Sequence, residues 1–290
     1  CYVDPAFHAH EKRALLERDW LPLAHVSQLP EAGDYLALDV LDEPLIVTRG
    51  KDQEIRVLSR VCQHRGMDMM PPGYAATSGR LPALRCPYHL WTYDLNGRLL
   101  AAPEMQTSSC HVRDDVRLPA FRSEIYEGFV CVNLDGQAAP LATRLAGLTA
   151  HLAKWQLADA QLVWQREWDC AFNWKVLVEN FMEPYHHMGA HAKTLQPLMP
   201  ATGCWTEDNG GDDWLAVHLP LNAQLRAELR VTGRPLPGFT PFPGLKPDDH
   251  HEWWVFLGQP LFLLFTAPDR AYWYRLLPTG PETCRLLTTL

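Results

Sequence analysis

Apolar positions recur along this chain in distinct rhythms. Between residues 21 and 135 they form short runs broken by Gly and Pro, clearest at 35–40, 54–58 and 128–133. That spacing predicts the strands of a small all-β unit. Leu141, Leu145, Leu148, Leu152 and Trp155 then step by 4, 3, 4 and 3, the pattern of a helix with one buried face. Further on, a helix starting near Phe172 carries Trp174, Leu177, Phe181 and Tyr185 at helical spacing, with Pro184 placed to kink or end it. Strand candidates follow at 214–219, 253–257, 261–265 and 272–277, so this part reads as a separate α+β domain. Residues 5–19 read as a short charged helix packing on that domain. The Gly- and Pro-rich stretch 233–248 predicts a long loop. The expected division is therefore 21–135 for one domain, and 1–20 with 136–290 for the other.

A length of 290 residues suits two domains, and 47% apolar with 21% charged residues describes a folded chain rather than a disordered or collagen-like one. Lys and Arg number 26 against 34 Asp and Glu, a net charge of −8, with no basic run. That balance argues against nucleic acid as a partner. The uncharged stretch 253–268 contains Gln259 and two prolines and is too short to span a bilayer, and no signal peptide opens the chain. A cytoplasmic protein with no membrane partner is expected. Cys in place of Met at position 1 predicts a start further upstream. The eight cysteines lack the spacing of a secreted disulfide framework, which points to a reducing compartment with thiols free for a metal.

Cys62-Gln63-His64 is followed, after the 21 residues 65–85, by Cys86-Pro87-Tyr88-His89. Each half offers one thiolate and one imidazole. Four such donors suit tetrahedral zinc, or a [2Fe–2S] cluster with two Cys on one iron and two His on the other. Zinc fingers usually pair Cys with Cys and His with His, whereas here each loop carries one of each. Gly66 lets the first loop turn tightly, and backbone amides there can donate to cluster sulfurs. Both features favour the cluster. Tyr93, Asp94, Asn96 and Gly97 read as a strand entering a hairpin turn. Cys110, Cys131, Cys170, Cys204 and Cys284 have no metal-binding neighbours in sequence and read as ordinary buried thiols.

A second cluster runs through Asn180, Glu183, His186, His187 and His191. Two His and one carboxylate on one face of an iron, with open positions opposite, is the usual oxygen-activating design. Helical spacing pairs His187 with His191. His186 and His191 lie five apart, about 140° round an ideal helix, but Pro184 and Gly189 make an ideal helix unsafe to assume. Glu183 reads as a carboxylate supporting a His ligand or as a solvated helix-face charge. Asn180, one turn earlier, reads equally as facing the pocket or as plain helix surface. His250-His251-Glu252 lacks the second His of a zincin pattern and reads as a surface loop.

Together the two segments resemble the catalytic (α) subunit of the Rieske non-heme iron oxygenases of ring-hydroxylating type, over nearly the whole chain. The spacer between the Cys-His pairs is a few residues longer than usual, with the excess placed in 71–82. The resemblance implies an all-β Rieske [2Fe–2S] domain held by Cys62, His64, Cys86 and His89. It implies a helix-grip (START-like) α+β catalytic domain carrying a mononuclear Fe(II) on His186 and His191, with His187 as a neighbour. Glu183 stands where the family more often has Asp, the carboxylate that links the cluster of one subunit to the iron of the next. The third iron ligand, an Asp from a late C-terminal helix, is expected beyond Leu290, so the chain reads as C-terminally truncated. Asp248, Asp249, Asp269 and Glu282 lie in the wrong context for that role.

No Gly-x-Gly-x-x-Gly follows a strand and no P-loop occurs, so electrons are expected from a separate ferredoxin or flavin reductase that uses NAD(P)H. The resemblance further implies O2 as co-substrate and an α3 trimer or α3β3 hexamer. Trp205, Trp214, Phe239, Phe242, Trp253, Trp254, Phe256, Phe262 and Phe265 make the cavity region aromatic, although most of them read as core. The expected activity is hydroxylation of a small aromatic or carboxylated compound. The alternative is monooxygenation or demethylation of a quaternary ammonium or N- or O-methyl compound, held by cation–π contact. Two readings of other classes are a Rieske electron carrier without oxygenase activity and a zinc-stabilised binding protein.

Overall fold

The computed structural model describes residues 1–105, 115–233 and 236–290; Cys110 lies outside them. Helix α1 (Pro5–Glu11) is capped by Asp4, whose carboxylate accepts the Ala6 and Phe7 N–H groups. The helical path ends at Leu16 rather than running to residue 19. This segment contacts the start of the helix that follows residue 173: Lys175 Nζ bonds both Glu11 oxygens at 2.7 and 2.9 Å, and Asn173 Nδ2 donates to the Tyr2 carbonyl at 3.0 Å.

The all-β part contains strands β1 (Trp20–His25), β2 (Asp34–Val40), β3 (Glu43–Arg49), β4 (Ile55–Ser59), β5 (Ser78–Arg80), β6 (Leu84–Arg85), β7 (Thr92–Tyr93), β8 (Leu99–Ala101), β9 (Ala120–Tyr126) and β10 (Phe129–Asn133). Seven of them form one sheet in the order β1-β10-β9-β4-β3-β2-β5, and β6-β7-β8 form a small second one. The extra length between the two Cys-His pairs is not only turn. Its last residues make β5, which pairs with β2 through Asp34↔Arg80. A core of Tyr35, Ile46, Leu58, Met69, Leu84, Trp91, Tyr93 and Leu95 fills the space between the two sheets and encloses Cys62 and Cys86.

Helices α2 (Leu141–Arg144) and α3 (Ala146–Leu152) and a 3-10 turn ending at Trp155 realise the leucine stripe, with a break at Leu145. All five stripe residues are buried. Complete burial of Leu148 and Leu152 is worth about 1.5–3 kcal/mol each in transfer terms.

The second large sheet is antiparallel and again seven-stranded, formed by β11 (Gln165–Cys170), β12 (Trp205–Thr206), β13 (Trp214–Pro220), β14 (Glu252–Gly258), β15 (Phe262–Ala267), β16 (Arg270–Gly280) and β17 (Thr283–Thr289). Its order is β11-β17-β16-β15-β14-β13-β12. Period-two alternation gives it two apolar faces. Trp214, Ala216, Trp254, Phe256, Phe262, Leu264 and Trp273 pack with the leucine stripe. On the other face lie Val217, Leu219, Trp253, Val255, Phe265, Tyr272 and Tyr274. Helix α4 (Trp174–Phe181), capped by the Asn173 side chain, covers that second face. It stops before Pro184, which leaves Tyr185 76% exposed and off the stripe assigned to it from sequence. No helix among the described residues is long and apolar enough to cross a membrane.

Candidate metal centres and cavity

Two loops at the small sheet bring Cys62, His64, Cys86 and His89 together. In the first, the Cys62 N–H donates to the Met67 carbonyl at 2.9 Å and the Gly66 N–H to the Cys62 carbonyl at 3.0 Å. Gly66 sits at φ +68°, and a Cβ there would meet nothing within 4 Å, so the backbone angle and not space is what requires glycine. In the second, the Cys86 N–H donates to the Trp91 carbonyl at 2.8 Å and the Leu90 N–H to the Cys86 carbonyl at 3.1 Å. The two loops thus have the same hairpin form, each opening with its cysteine.

The His64 and His89 rings lie 4.6 Å apart, and Trp91 stacks on His64 at 4.7 Å and 5°. Both Nδ1 atoms are buried without a hydrogen-bond partner among the described residues. Both thiols are buried and in mutual contact, and burial chiefly pushes the Cys62 thiol up. Two sulfurs on one side and two bare imidazole nitrogens on the other is the donor set that a Rieske-type [2Fe–2S] cluster requires. One thiolate and one bare imidazole from each loop thus fit the two-iron cluster.

The second site follows α4. Asn180, Glu183, His186, His187 and His191 all line one cavity of about 390 Å³. Pro184 starts a 3-10 turn, Tyr185–Met188, that swings His186 and His187 inward. The His186 ring lies 5.1 Å from that of His191 and 5.1 Å from that of His187. Glu183 Oε1 bonds His186 Nδ1 at 2.7 Å, while Oε2 accepts the His186 backbone N–H at 3.1 Å. Burial pushes this carboxyl up, but the His186 bonds outweigh it and hold it below the usual carboxylate range. His191 Nδ1 meets Thr194 Oγ1 at 3.2 Å. Each Nδ1 is thereby occupied, which leaves both Nε2 atoms for a metal. His187 is more buried and holds the Met199 carbonyl through Nδ1 at 3.1 Å. Thr194 and the Met199 carbonyl are contacts that sequence reasoning missed; a hydroxyl three residues after His191 was the available signal for the first. Among the described residues, none of 62–91 lines this cavity.

Of the nine aromatic residues noted from sequence, only Trp253 and Phe265 line the cavity. Trp214, Trp254, Phe256 and Phe262 belong to the core on the other sheet face, Phe242 packs at its border, and Trp205 and Phe239 are exposed. The remaining ring walls are Phe181, Tyr272 and Tyr274, all from helix or strand positions facing α4's side of the sheet. Cys170 and Cys284 also depart from expectation. They are direct cross-strand partners on β11 and β17 with their thiols in contact, and burial chiefly pushes Cys284 up to about 12. Cys131 is buried and Cys204 half-buried. The His250-His251 pair sits in a 3-10 turn, Pro247–His251, with His251 Nδ1 3.7 Å from Asp248.

Comparison with known proteins matches residues 19–122 to the Rieske [2Fe-2S] domain family and residues 157–290 to the ring hydroxylating alpha subunit (catalytic domain) family. The carnitine monooxygenase oxygenase subunit of Acinetobacter baumannii is 31% identical over 192 residues, which is 66% of this chain and 51% of that one. The glycine betaine monooxygenase oxygenase subunit of Chromohalobacter salexigens is 32% identical over 198 residues, 68% of this chain and 43% of that one. The chain thus spans about half the length of the curated relatives it matches. Among solved structures, naphthalene 1,2-dioxygenase from Rhodococcus sp. bound to indole superposes with a TM-score of 0.81 at 25% identity, covering 99% of this chain and 71% of that one. With both of its domains matched and both donor sets assembled, the chain belongs to the Rieske non-heme iron oxygenases, as the α-subunit type that joins a [2Fe-2S] domain to a catalytic domain.

Proposed function

We propose that this chain is a terminal oxygenase component that hydroxylates a small quaternary ammonium compound, and that domains 21–135 and 1–20 with 136–290 divide the work. The observation that carries this reading is a single cavity holding both a His donor pair and a wall of rings. The Trp253 and Phe265 rings meet edge-on at 5.4 Å, Tyr272 lies 5.8 Å beyond Phe265, and Phe181 and Tyr274 meet at 4.8 Å. Such walls hold a methylated ammonium by cation–π attraction and exclude water from it. The two relatives named for carnitine and glycine betaine support the same class.

In this reading Cys62, His64, Cys86 and His89 hold the cluster, and His186 and His191 hold the iron. When bound, the cluster supplies electrons one at a time and the iron activates O2. Glu183 fixes the His186 tautomer through Nδ1, so that Nε2 is presented to the metal. Asn180 and the rings position substrate. The net reaction consumes O2, two electrons from an external ferredoxin or flavin reductase and two protons, and yields hydroxylated substrate and water. We further propose a cytoplasmic trimer or α3β3 hexamer in which a neighbour's cluster faces Glu183; among the described residues, none of the cluster loops lines the iron-side cavity.

A second reading, hydroxylation of an aromatic ring, is favoured by the likeness to naphthalene dioxygenase and by the same ring walls. Metal analysis and turnover test both readings. About three irons and two acid-labile sulfides per chain are expected. With reductase present, glycine betaine or carnitine should be consumed and naphthalene should not; the reverse would favour the ring reading. Turnover retained in His186→Ala would contradict the iron assignment, and cluster reduction with no turnover of any substrate would leave an electron carrier.

A further inference from the structure

Among its described lining residues, the cavity of His186 and His191 contains one Lys or Arg side chain, Arg270. The same residue lines an adjoining cavity of about 290 Å³, as does Trp253, so Arg270 borders both spaces. It is also held in place. Arg270 Nε donates to Asp269 Oδ1 at 2.9 Å and Nη2 to Asp269 Oδ2 at 2.7 Å. Asp269 Oδ2 in turn accepts the Phe239 backbone N–H at 2.7 Å. The Phe239 ring lies 5.5 Å from the guanidinium carbon, and Tyr272 adds a hydrogen bond.

This scaffold has a chemical consequence. Asp269 occupies one edge of the guanidinium fork and fixes its plane, while Nη1 stays outside that bidentate pair. A free Arg has considerable rotamer entropy to lose on gripping an anion; a pre-positioned one loses less. Asp269 also offsets the charge, so the site does not attract anions from a distance. It discriminates by local hydrogen bonding to a planar oxyanion.

We propose that Arg270 is a specificity-determining residue that selects, among quaternary ammonium compounds, those carrying a carboxylate. The rings of the inner cavity hold the methylated ammonium, and Arg270, which borders both cavities, hydrogen-bonds the carboxylate. This rests on the quaternary ammonium reading above and adds the second functional group of the substrate.

The test uses two probes that share a trimethylammonium head, glycine betaine with a carboxylate and choline with a hydroxyl. Their affinities for the metal-loaded full-length protein are measured by titration calorimetry. Wild type should bind glycine betaine roughly 10- to 100-fold more tightly than choline, the range that a charged hydrogen bond commands. Arg270→Gln should bring glycine betaine down to the choline level and leave choline unmoved. Arg270→Lys, which keeps the charge without the fork, should fall between them and serves if the Gln variant does not fold. A merely structural Arg270 would weaken both probes together. Equal affinities in wild type, or a preference unchanged in the variants, would overturn the assignment. If neither ammonium probe binds while naphthalene does, the ammonium reading itself falls and this assignment with it.

Discussion

Tyr93 Oη stands 3.4 Å from Cys62 Sγ and accepts the Gln63 backbone N–H at 3.1 Å, so one phenol ties the floor of the small sheet to the first cysteine loop. The ring is fully buried, and burial chiefly raises the phenol above its ordinary range. It therefore stays protonated and able to donate to a thiolate. Hydrogen bonds to ligand sulfur stabilise the more negative, reduced state. Tyr93→Phe should lower the cluster's reduction potential by about tens of millivolts, a small part of the range such clusters span. Redox titration followed by EPR checks this. An unchanged potential in a folded, fully loaded variant would show that the contact does not tune the cluster.

Glu183 clamps His186 at both its ring and its backbone. Glu183→Gln keeps the size and loses the charge that steadies the imidazole. Loss of such a supporting group typically costs about 10- to 100-fold in metal affinity. Iron retained after dialysis should fall from about three per chain toward two, with labile sulfide constant. Parallel loss of sulfide would mean that the variant is misfolded.

Gly128 closes the β9–β10 hairpin at φ +86°, and a Cβ there would lie 2.6 Å from Ala158 Cα and 2.6 Å from His25 Nε2. Gly128→Ala should therefore add a backbone clash to left-handed strain and destabilise by about 2–4 kcal/mol. Gly73→Ala is the control: φ is +79° and nothing lies within 4 Å, so only about 1 kcal/mol is expected. Urea unfolding measures both. Equal effects would mean that the hairpin does not abut residue 158 in solution.

His25 Nε2 meets the Leu157 carbonyl at 3.0 Å where the all-β part joins the chain leading to the second sheet. Burial lowers its pKa below the ordinary 6.5, and the Leu157 bond only partly opposes this. The folded state thus holds fewer protons here than the unfolded chain. Stability should fall as pH drops below about 6.5, because the unfolded state then gains a proton that the fold resists. His25→Gln should flatten that part of the stability–pH curve. A slope identical to wild type would assign the acid sensitivity elsewhere.

The residues that the structure brings together at the two proposed centres were legible in the sequence because each lies in a short local pattern: a Cys and a His within four residues, twice, and three His within six. The strands and the leucine stripe were legible for the same reason, since periodicity is a local property. Other features depend on pairing distant segments. Cys170 and Cys284 meet only because β11 adds to β17 with Asp169 opposite Arg285. Trp253 lines the cavity and Trp254 the opposite core because adjacent strand residues point to opposite faces, a distinction that needs the sheet's orientation. Arg270 drew no notice because nothing near it in sequence says which cavity it reaches. Tyr185 followed the helical count but fell past the proline that ends the helix.

The two-faced sheet divides the chamber wall into residues that also build a core and residues that do not. Along β13 to β16, Trp214, Ala216, Trp254, Phe256, Phe262, Leu264 and Trp273 belong to the leucine-stripe core, while Val217, Leu219, Trp253, Val255, Phe265, Tyr272 and Tyr274 line the chamber. Val217, Leu219 and Val255 are shared with a second buried core that includes Met199, Leu221 and Leu229, whereas Tyr272 is a wall residue outside both cores. A library that varies Tyr272 and keeps Val217, Leu219 and Val255 would reshape the chamber with both packed faces of the sheet retained.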